Sequence, residues 1–178
     1  PAFVGRTDIT ARVLRTFTQT IDGHKAGAFV WRTDWRLRPD PSVTDLSMST
    51  EAGEDYHFYR AAPWRRLAMI KARVVGGDQA AGAQLLEMLR PFVYRRYLDF
   101  SAIEALRAMK QLIQQEVRRK GMAENIKLGS GGIREVEFIA QAFQLIHGGR
   151  DLSLQQRSLF AVLNTLRDQG YLPPAVTD

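Results

Sequence analysis

The most informative stretch of this chain is a glycine-rich segment that leads into an amphipathic helix, Asn125-Ile126-Lys127-Leu128-Gly129-Ser130-Gly131-Gly132-Ile133-Arg134-Glu135-Val136-Glu137-Phe138. Glycines let backbone N–H groups approach an anion closely, and a helix N-terminus favours negative charge. Lys127 and Arg134 can add charge-assisted hydrogen bonds to such an anion. The same residues equally fit a tight turn between two helices, with Glu135 and Glu137 only placed at a favourable helix N-terminus. The segment matches neither the P-loop nor the dinucleotide-binding pattern, so both interpretations stay open.

Helical periodicity dominates on both sides of this segment. Caps, breakers and apolar spacing predict helices over Thr7 to Ile21, Glu51 to Arg60, Pro63 to Gly76, Asp78 to Leu89, Ser101 to about Gly121, the stretch between Gly132 and Gly148, and Ser153 to Gln169. On the helix that Ser101 caps, Lys110 interrupts an otherwise apolar stripe. The predicted fold is therefore mostly α-helical.

One region departs from the helical pattern. From Ala28 to Leu37, aromatic and small residues alternate with charged ones, which predicts a strand ended by Pro39 and Pro41. Because one strand cannot make a sheet by itself, we expect its partners upstream of Pro1. The predicted fold class is thus the C-terminal remnant of an α/β domain followed by a helical bundle.

The predicted strand carries a candidate metal ligand. A carboxylate on a strand, such as Asp34, can present a fixed oxygen to Mg²⁺, and nucleotide phosphates can complete the ion's ligand shell. Arg36 and Arg38 lie nearby and can bind phosphates through two parallel hydrogen bonds. From spacing alone, a surface salt bridge between Asp34 and one of these arginines is the favoured interpretation.

Composition limits the classes of protein to consider. Of 178 residues, 45% are hydrophobic and 25% charged, which is typical of a folded domain. Cysteine is absent from the sequence, which excludes disulfides and thiolate metal sites. No apolar run approaches the roughly 20 residues of a membrane span, and no signal-peptide pattern is present. We therefore expect a cytoplasmic location and no membrane partner. The chain begins at Pro1 and stops after a proline pair, so both ends are expected to be cut.

A net charge of +6 makes an anionic partner plausible, although it equally fits a charge that only maintains solubility. Basic residues interleave with the aromatics Phe92, Tyr94, Tyr97 and Phe100 in the middle of the chain. These basic residues are Arg90, Arg95, Arg96, Arg107, Lys110, Arg118, Arg119 and Lys120. A nucleic-acid surface would combine such groups. We favour the other interpretation, a helix-rich core whose surface carries a solvated basic face, and we expect no nucleic-acid partner.

Three stretches, in this order and at this separation, resemble the glutamine synthetase adenylyltransferase/adenylyl-removing enzymes. They are Asp34-Trp35-Arg36-Leu37-Arg38-Pro39, Pro91-Phe92-Val93-Tyr94-Arg95-Arg96-Tyr97-Leu98-Asp99-Phe100 and the segment from Asn125 to Phe138. The resemblance runs along almost the whole chain. This family carries two related nucleotidyltransferase halves. The run from Gly131 to Glu135 is similar to the N-terminal half, which removes AMP; the C-terminal half usually has Thr-Asp there.

This resemblance implies a function and its participants. The reaction would be phosphorolysis, in which phosphate attacks the adenylyl-tyrosine of glutamine synthetase and releases ADP. The implied partners are glutamine synthetase, the PII signalling protein, ATP or ADP, and phosphate. Asp34 would be the catalytic metal ligand for Mg²⁺, and substrate or phosphate would meet Arg36, Arg38, Lys127, Arg134, Glu135 and Glu137. Residues 1–50 would end a nucleotidyltransferase-like domain, and residues 51–178 would form a helical bundle.

The resemblance also implies what this chain lacks. A glycine-rich turn and two metal-binding Asp residues are expected before the Asp34 strand, so we expect the chain alone to be inactive. The family usually has Trp-Glu-Arg where this chain has Trp64, Arg65 and Arg66. One alternative is a helical module that docks glutamine synthetase or PII without activity of its own. Another is a related enzyme such as the PII uridylyltransferase, which should lack the segment from Lys127 to Phe138.

Overall fold

Every regular element is helical in the part of the chain that the computed structural model describes, namely residues 7–23, 30–35, 38–39, 46–97, 100–122, 124–173 and 175. This confirms the mostly α fold class. The chain divides into two compact units, Pro1–Ala61 and Ala62–Asp178. The predicted assignment of residues 1–50 to a nucleotidyltransferase-like domain and of 51–178 to a helical bundle stays a prediction. Among the described helices, none has the length and apolar character needed to cross a membrane.

The described residues of the first unit form two α-helices and a π-helical turn. Helix α1 spans Thr7–Asp22, as its apolar periodicity predicted. Helix α2 spans Thr50–Asp55 and begins where the Ser49 hydroxyl accepts a hydrogen bond from the Ala52 amide. The helix predicted to continue to residue 60 instead widens into a π-helix over Tyr56–Arg60, closed by a 2.7 Å bond from the Ala61 amide to the Tyr56 carbonyl.

The predicted strand from Ala28 to Leu37 is wrong over its described part, residues 30–35. The amides of Val30 and Trp31 both donate to the carbonyl of Ile21 at 3.0 Å, so the backbone turns back onto the end of α1. A strand is stabilised by a ladder of bonds to a neighbouring strand, and none of the described residues supplies one. The alternation of side-chain types was therefore insufficient by itself to predict a strand.

In the second unit, five α-helices and a short 3-10 helix are formed by the residues that the structure describes. Helices α3, α4 and α5 span Arg65–Ile70, Gln79–Val93 and Phe100–Arg119, followed by α6 at Ile133–His147, a 3-10 helix at Leu152–Leu154, and α7 at Leu159–Asp168. Three predicted ends were wrong: α3 ends before Gly76, α5 begins before Ser101, and α4 continues past Pro91.

The last predicted helix also begins later than expected. Its cap is Ser158 rather than Ser153, because the Ser158 hydroxyl accepts from the Ala161 amide at 3.4 Å. Ser153 lies in the 3-10 helix, where its hydroxyl donates to Asp151 Oδ1 at 2.6 Å. A hydroxyl engaged in that turn is not available to start a helix.

The core of the second unit lies between α6, the 3-10 helix and α7. Its fully buried residues include Leu154 and Leu166, with Ala140, Val162 and Leu163 packed around them. Gln144 is also buried, and its side-chain amide donates to the carbonyls of Leu154 and Gln156, both at 2.7 Å. Because a buried amide without partners would be costly, these bonds hold the irregular chain before α7 against α6.

A buried arginine joins α3 to the end of α4. The Arg66 side chain is 1% exposed, and its Nε and Nη2 donate to the carbonyl of Val93 at 3.1 and 2.9 Å. Its neighbour Arg65 stacks on Trp64, with 4.8 Å between the guanidinium carbon and the ring centroid. Arg66 therefore ties α3 to the last residue of α4.

Candidate functional site

The glycine-rich segment forms a compact loop before α6. The side chain of Asn125 accepts from the amides of Lys127 and Leu128, both at 3.0 Å, and its carbonyl accepts from the Gly129 amide at 2.7 Å. Gly131 has a φ of +71°, a conformation that L side chains rarely adopt. The glycines are thus required by the turn itself, in agreement with the interhelix-turn interpretation.

Carbonyl groups of the loop accept hydrogen bonds from the first amides of α6. The amide of Ile133 donates to the carbonyl of Ile126 and that of Arg134 to the carbonyl of Lys127, both at 3.0 Å. The first amides of an α-helix have no partner within the helix and so are the groups that usually bind an anion. Since these two amides are already bonded, an anion at this loop would be bound by side chains.

Glu135 supplies the negative charge that this helix N-terminus favours. Its Oε2 accepts from the Gly131 amide at 2.9 Å, and its Oε1 lies 3.4 Å from Lys110 Nζ. The bond from the Gly131 amide, aided by the charge of Lys110 and hydrogen bonds from Lys110 and Gln114, lowers the pKa of the Glu135 carboxyl. The Glu135 carboxylate therefore stabilises the loop, and Lys110 is its ion-pair partner.

Lys110 is a residue whose role the sequence pattern did not identify. It interrupts the apolar stripe of α5 because it faces the beginning of α6, where it meets a carboxylate. The available signal was the interruption itself: a lysine within an apolar helical face usually has a specific partner. The acidic residue at the start of the next helix was the nearest candidate.

Lys127 and Arg134 are the cations that this loop offers to a ligand. The side chain of Lys127 is exposed, and that of Arg134 is 41% exposed, with its Nε 3.9 Å from Glu137 Oε2. Arg134 also lines a pocket of about 320 Å³. The other lining residues are Met109, Leu112, Ile113, Glu116 and Leu128. An apolar wall with one guanidinium at its edge fits a ligand that has an anionic end and a less polar body.

Glu116, the acidic residue of this pocket, is paired with two basic side chains. Arg119 donates to both oxygens of Glu116, at 2.6 and 2.8 Å, and Lys120 lies 3.0 Å away. These bonds, that from Arg119 first, lower the pKa of the Glu116 carboxyl to about 2. The charge of Glu116 is therefore compensated by its own helix, which reduces its repulsion of an anion beside Arg134.

The other predicted site residues lie in the first unit. Asp34 is exposed and has an interaction partner, and the Arg38 side chain donates to the carbonyl of Trp35 at 3.0 Å. Arg36 lies outside the described residues. The prediction that Asp34 shares a site with Lys127 and Arg134 involves both units and stays a prediction.

The described residues do not form a complete metal site. Within them, no group of three or more acidic or histidine side chains could hold a metal ion. Mg²⁺ demands near-octahedral coordination by about six oxygens and usually keeps several waters. Asp34 contributes one carboxylate, so the described residues by themselves do not make up a Mg²⁺ site.

Comparison with known proteins identifies close relatives of this chain. The family model for glutamate-ammonia ligase adenylyltransferase matches residues 5–88. The bifunctional glutamine synthetase adenylyltransferase/adenylyl-removing enzymes of Pseudomonas syringae pv. tomato and Pseudomonas putida are 74% and 75% identical to it over 89% and 88% of its length. That of Pseudomonas aeruginosa is 69% identical over 94%. The aligned part is 16–17% of these relatives' own length.

A second family model matches the other end of the chain. The model of the GlnD PII-uridylyltransferase covers residues 107–178, which include the glycine-rich loop and α6. The expectation that a uridylyltransferase lacks the segment from Lys127 to Phe138 is therefore not supported, because the model runs across it. This part of the chain therefore matches the uridylyltransferase model, whereas residues 5–88 match the adenylyltransferase model and the high-identity relatives described above are adenylyltransferase/adenylyl-removing enzymes.

Proposed function

Because the chain belongs to the glutamate-ammonia ligase adenylyltransferase family, we propose that it is part of the half that removes AMP from adenylylated glutamine synthetase. The proposed reaction is phosphorolysis, in which a phosphate oxygen attacks the adenylyl phosphorus, the bond from that phosphorus to the tyrosine oxygen breaks, and ADP and the free tyrosine are released. The other half of the full-length protein would add AMP from ATP, so that the two activities together regulate nitrogen assimilation in the cytoplasm. The PII signalling protein would be the regulatory partner.

The observation that carries this proposal is the position of Arg134. It lies in the first turn of α6 and lines a mostly apolar pocket, beside a loop whose backbone is internally bonded. A guanidinium is permanently charged and can donate two parallel hydrogen bonds to a phosphate. We assign Arg134 and Lys127 to phosphate or adenylyl binding, and Glu135 to holding the loop in place.

The other predicted residues have roles of their own in the proposed reaction. Asp34 would supply one carboxylate oxygen to Mg²⁺, with the other carboxylates coming from parts of the full-length protein outside this chain. Arg36 and Arg38 would contact phosphate oxygens near it. Glu137, whose carboxylate lies 3.9 Å from Arg134, would limit the positions that this guanidinium can take.

The test is a change at Arg134 in the full-length enzyme that contains this chain. We expect Arg134→Ala to slow AMP removal by about 100-fold, the effect of losing an oriented charge on the transferring group, while AMP addition changes less than about twofold. The matched control is Arg107→Ala, which removes an exposed cation from α5. Equal loss of both activities, or an Arg134 variant as active as the control, would contradict the assignment.

A second candidate function is docking without chemistry. Incubating the 178-residue chain with adenylylated glutamine synthetase, phosphate and Mg²⁺ should release no ADP. Turnover by this chain near that of the full enzyme would show that the missing carboxylates are dispensable. Tight binding to unmodified glutamine synthetase without turnover would favour docking.

A further inference from the structure

A larger pocket lies within the second unit, where α4 ends and where the chain leaves α6. Its volume is about 630 Å³, within the range of sites that hold small organic ligands. Its lining residues are Arg90, Pro91, Tyr94, Arg95, Arg96, Tyr97, Phe100, Gly149, Leu152 and Gln155. Neither the proposed reaction nor the family comparison assigns a ligand to it.

Close backbone packing builds one wall of this pocket. A Cβ atom on Gly149 would lie 2.8 Å from the Arg96 amide, and one on Gly148 would lie 2.7 Å from the Tyr94 ring. The Arg150 side chain donates from Nε to the carbonyl of Arg96 at 3.0 Å. The segment after α4 is therefore held against the end of α6, and its side chains project from a fixed backbone.

The charges around the pocket are those of an anion site. Its described lining residues include Arg90, Arg95 and Arg96 and no carboxylate. The Arg90 guanidinium has two side-chain partners: its Nη2 lies 2.5 Å from Glu87, and its Nη1 donates to Gln155 at 3.1 Å. Arg95 and Arg96 are exposed. A guanidinium group can donate two parallel hydrogen bonds to a phosphate, so each of these exposed side chains suits a phosphate ligand.

Aromatic rings give the pocket its second chemical character. Tyr97 is 76% exposed and Phe100 is 70% exposed, so both ring faces are accessible at the mouth. Burial raises the pKa of Tyr94 to about 12, and the nearby charge of Arg90 only partly opposes that rise. Tyr94 therefore stays protonated at neutral pH and can donate a hydrogen bond. Exposed rings beside arginines suit a planar base that carries a charged group.

We propose that this pocket binds a nucleoside diphosphate or triphosphate, with Arg95 and Arg96 on the phosphates and Tyr97 stacked on the base. A simple phosphate would use the arginines but leave the rings without a partner. The glycine-rich loop lies at the other end of α6, roughly 22 Å away by the 1.5 Å rise of its 15 residues. The proposal does not rest on the phosphorolysis reaction, because binding is measured directly.

The test is calorimetric titration of the 178-residue chain with ADP in buffer without added metal. We expect one saturable site, with pyrophosphate and adenosine each binding at least about tenfold more weakly than ADP. Arg96→Gln should weaken ADP binding about tenfold, the loss of a charge-assisted pair. Tyr97→Ala should weaken ADP about fivefold and leave pyrophosphate unchanged. Both side chains are exposed, so the fold should survive, which circular dichroism would verify.

Two control variants locate the site. Arg118→Gln and Arg107→Gln each remove an exposed cation from α5 without touching the pocket lining. Each should bind ADP within twofold of the parent. No saturation by about 1 mM ADP would overturn the proposal. So would pyrophosphate binding as tight as ADP, or an Arg96→Gln affinity equal to that of Arg118→Gln. Loss of binding in Arg134→Gln alone would assign the nucleotide to the loop instead.

Discussion

The Nζ atom of Lys110 on α5 lies 3.4 Å from Oε1 of Glu135 on α6, while the other oxygen of that carboxylate accepts from the Gly131 amide. One carboxylate therefore links a neighbouring helix, the glycine turn and the start of α6. Its charge lies where a helix N-terminus favours an anion. In the proposed function, the side chains that would bind an external anion are therefore those of Lys127 and Arg134.

The first prediction concerns the pH dependence that Glu135 contributes. Its pKa is lowered in the folded chain, so the unfolded chain binds the proton more readily. The carboxylate therefore stabilises the fold above its unfolded pKa, near 4.5. This stabilisation is lost as the pH falls through the lower, folded value. We expect Glu135→Gln to lower the urea midpoint at pH 7, and expect the difference from the parent to shrink below pH 4.5.

The control for this prediction is Glu137→Gln, whose carboxylate lies 3.9 Å from Arg134 and accepts no hydrogen bond in any described contact. It should change the urea midpoint much less than Glu135→Gln does at pH 7. Urea unfolding followed by circular dichroism between pH 3 and pH 7 makes the comparison. A difference for Glu135→Gln that stays constant across this range would show that its carboxylate charge does not stabilise the loop.

The second prediction concerns Arg66, which is buried and donates twice to the carbonyl of Val93. We expect Arg66→Met to lower the free energy of unfolding by about 2–4 kcal/mol, because the carbonyl loses its donors and the packing changes. Arg66→Lys keeps the charge but not the fork of donors, so its loss should be smaller. The exposed Arg107→Met should cost less than about 0.5 kcal/mol. Equal losses at residues 66 and 107 would contradict a structural role for Arg66.

Local signals predicted the helices well where the cap and the apolar face agreed. The cap at Asp78 is an example: its side chain accepts from the Ala81 amide at 3.0 Å, as a cap should. Prediction failed where the local pattern extended over a turn. The helix predicted from Ser153 begins only at Leu159, because Ser153 lies in the turn around Asp151. The strand was mispredicted because side-chain alternation carries no information about whether a neighbour exists.

The candidate site was only partly predictable for a similar reason. Sequence identified the glycine-rich loop, Lys127 and Arg134, because glycine and charge patterns are local. It could not show that the α6 amides are already bonded to loop carbonyls, since those bonds depend on the folded path of the backbone. The arginines of the larger pocket were interpreted as a solvated face. Their convergence depends on Gly149, which is 53 residues beyond Arg96 in sequence.

The third prediction tests the cap of α4. Removing the acceptor with Asp78→Ala should lower the free energy of unfolding by about 1 kcal/mol, the usual effect of losing an N-cap. Asp78→Ser restores a side-chain oxygen and should recover most of that loss. Urea unfolding at pH 7 measures both variants. If serine is no better than alanine, the bond from the Ala81 amide does not stabilise this helix end.

The last prediction concerns Gly149, on which the larger pocket depends. A Cβ atom there would overlap the backbone of Arg95 and lie 2.8 Å from the Arg96 amide, and backbone cannot move aside as a flexible side chain can. We therefore expect Gly149→Ala to lower the free energy of unfolding by about 1–3 kcal/mol, as overpacking does, and to weaken ADP binding by displacing Arg95 and Arg96.

Gly76→Ala is the matched control, because a Cβ atom there meets nothing within 4 Å. It should leave ADP binding unchanged and the stability within about 1 kcal/mol. A Gly149→Ala chain as stable as Gly76→Ala would show that the segment after α4 is not packed against the end of α6, and the pocket would then lose its wall.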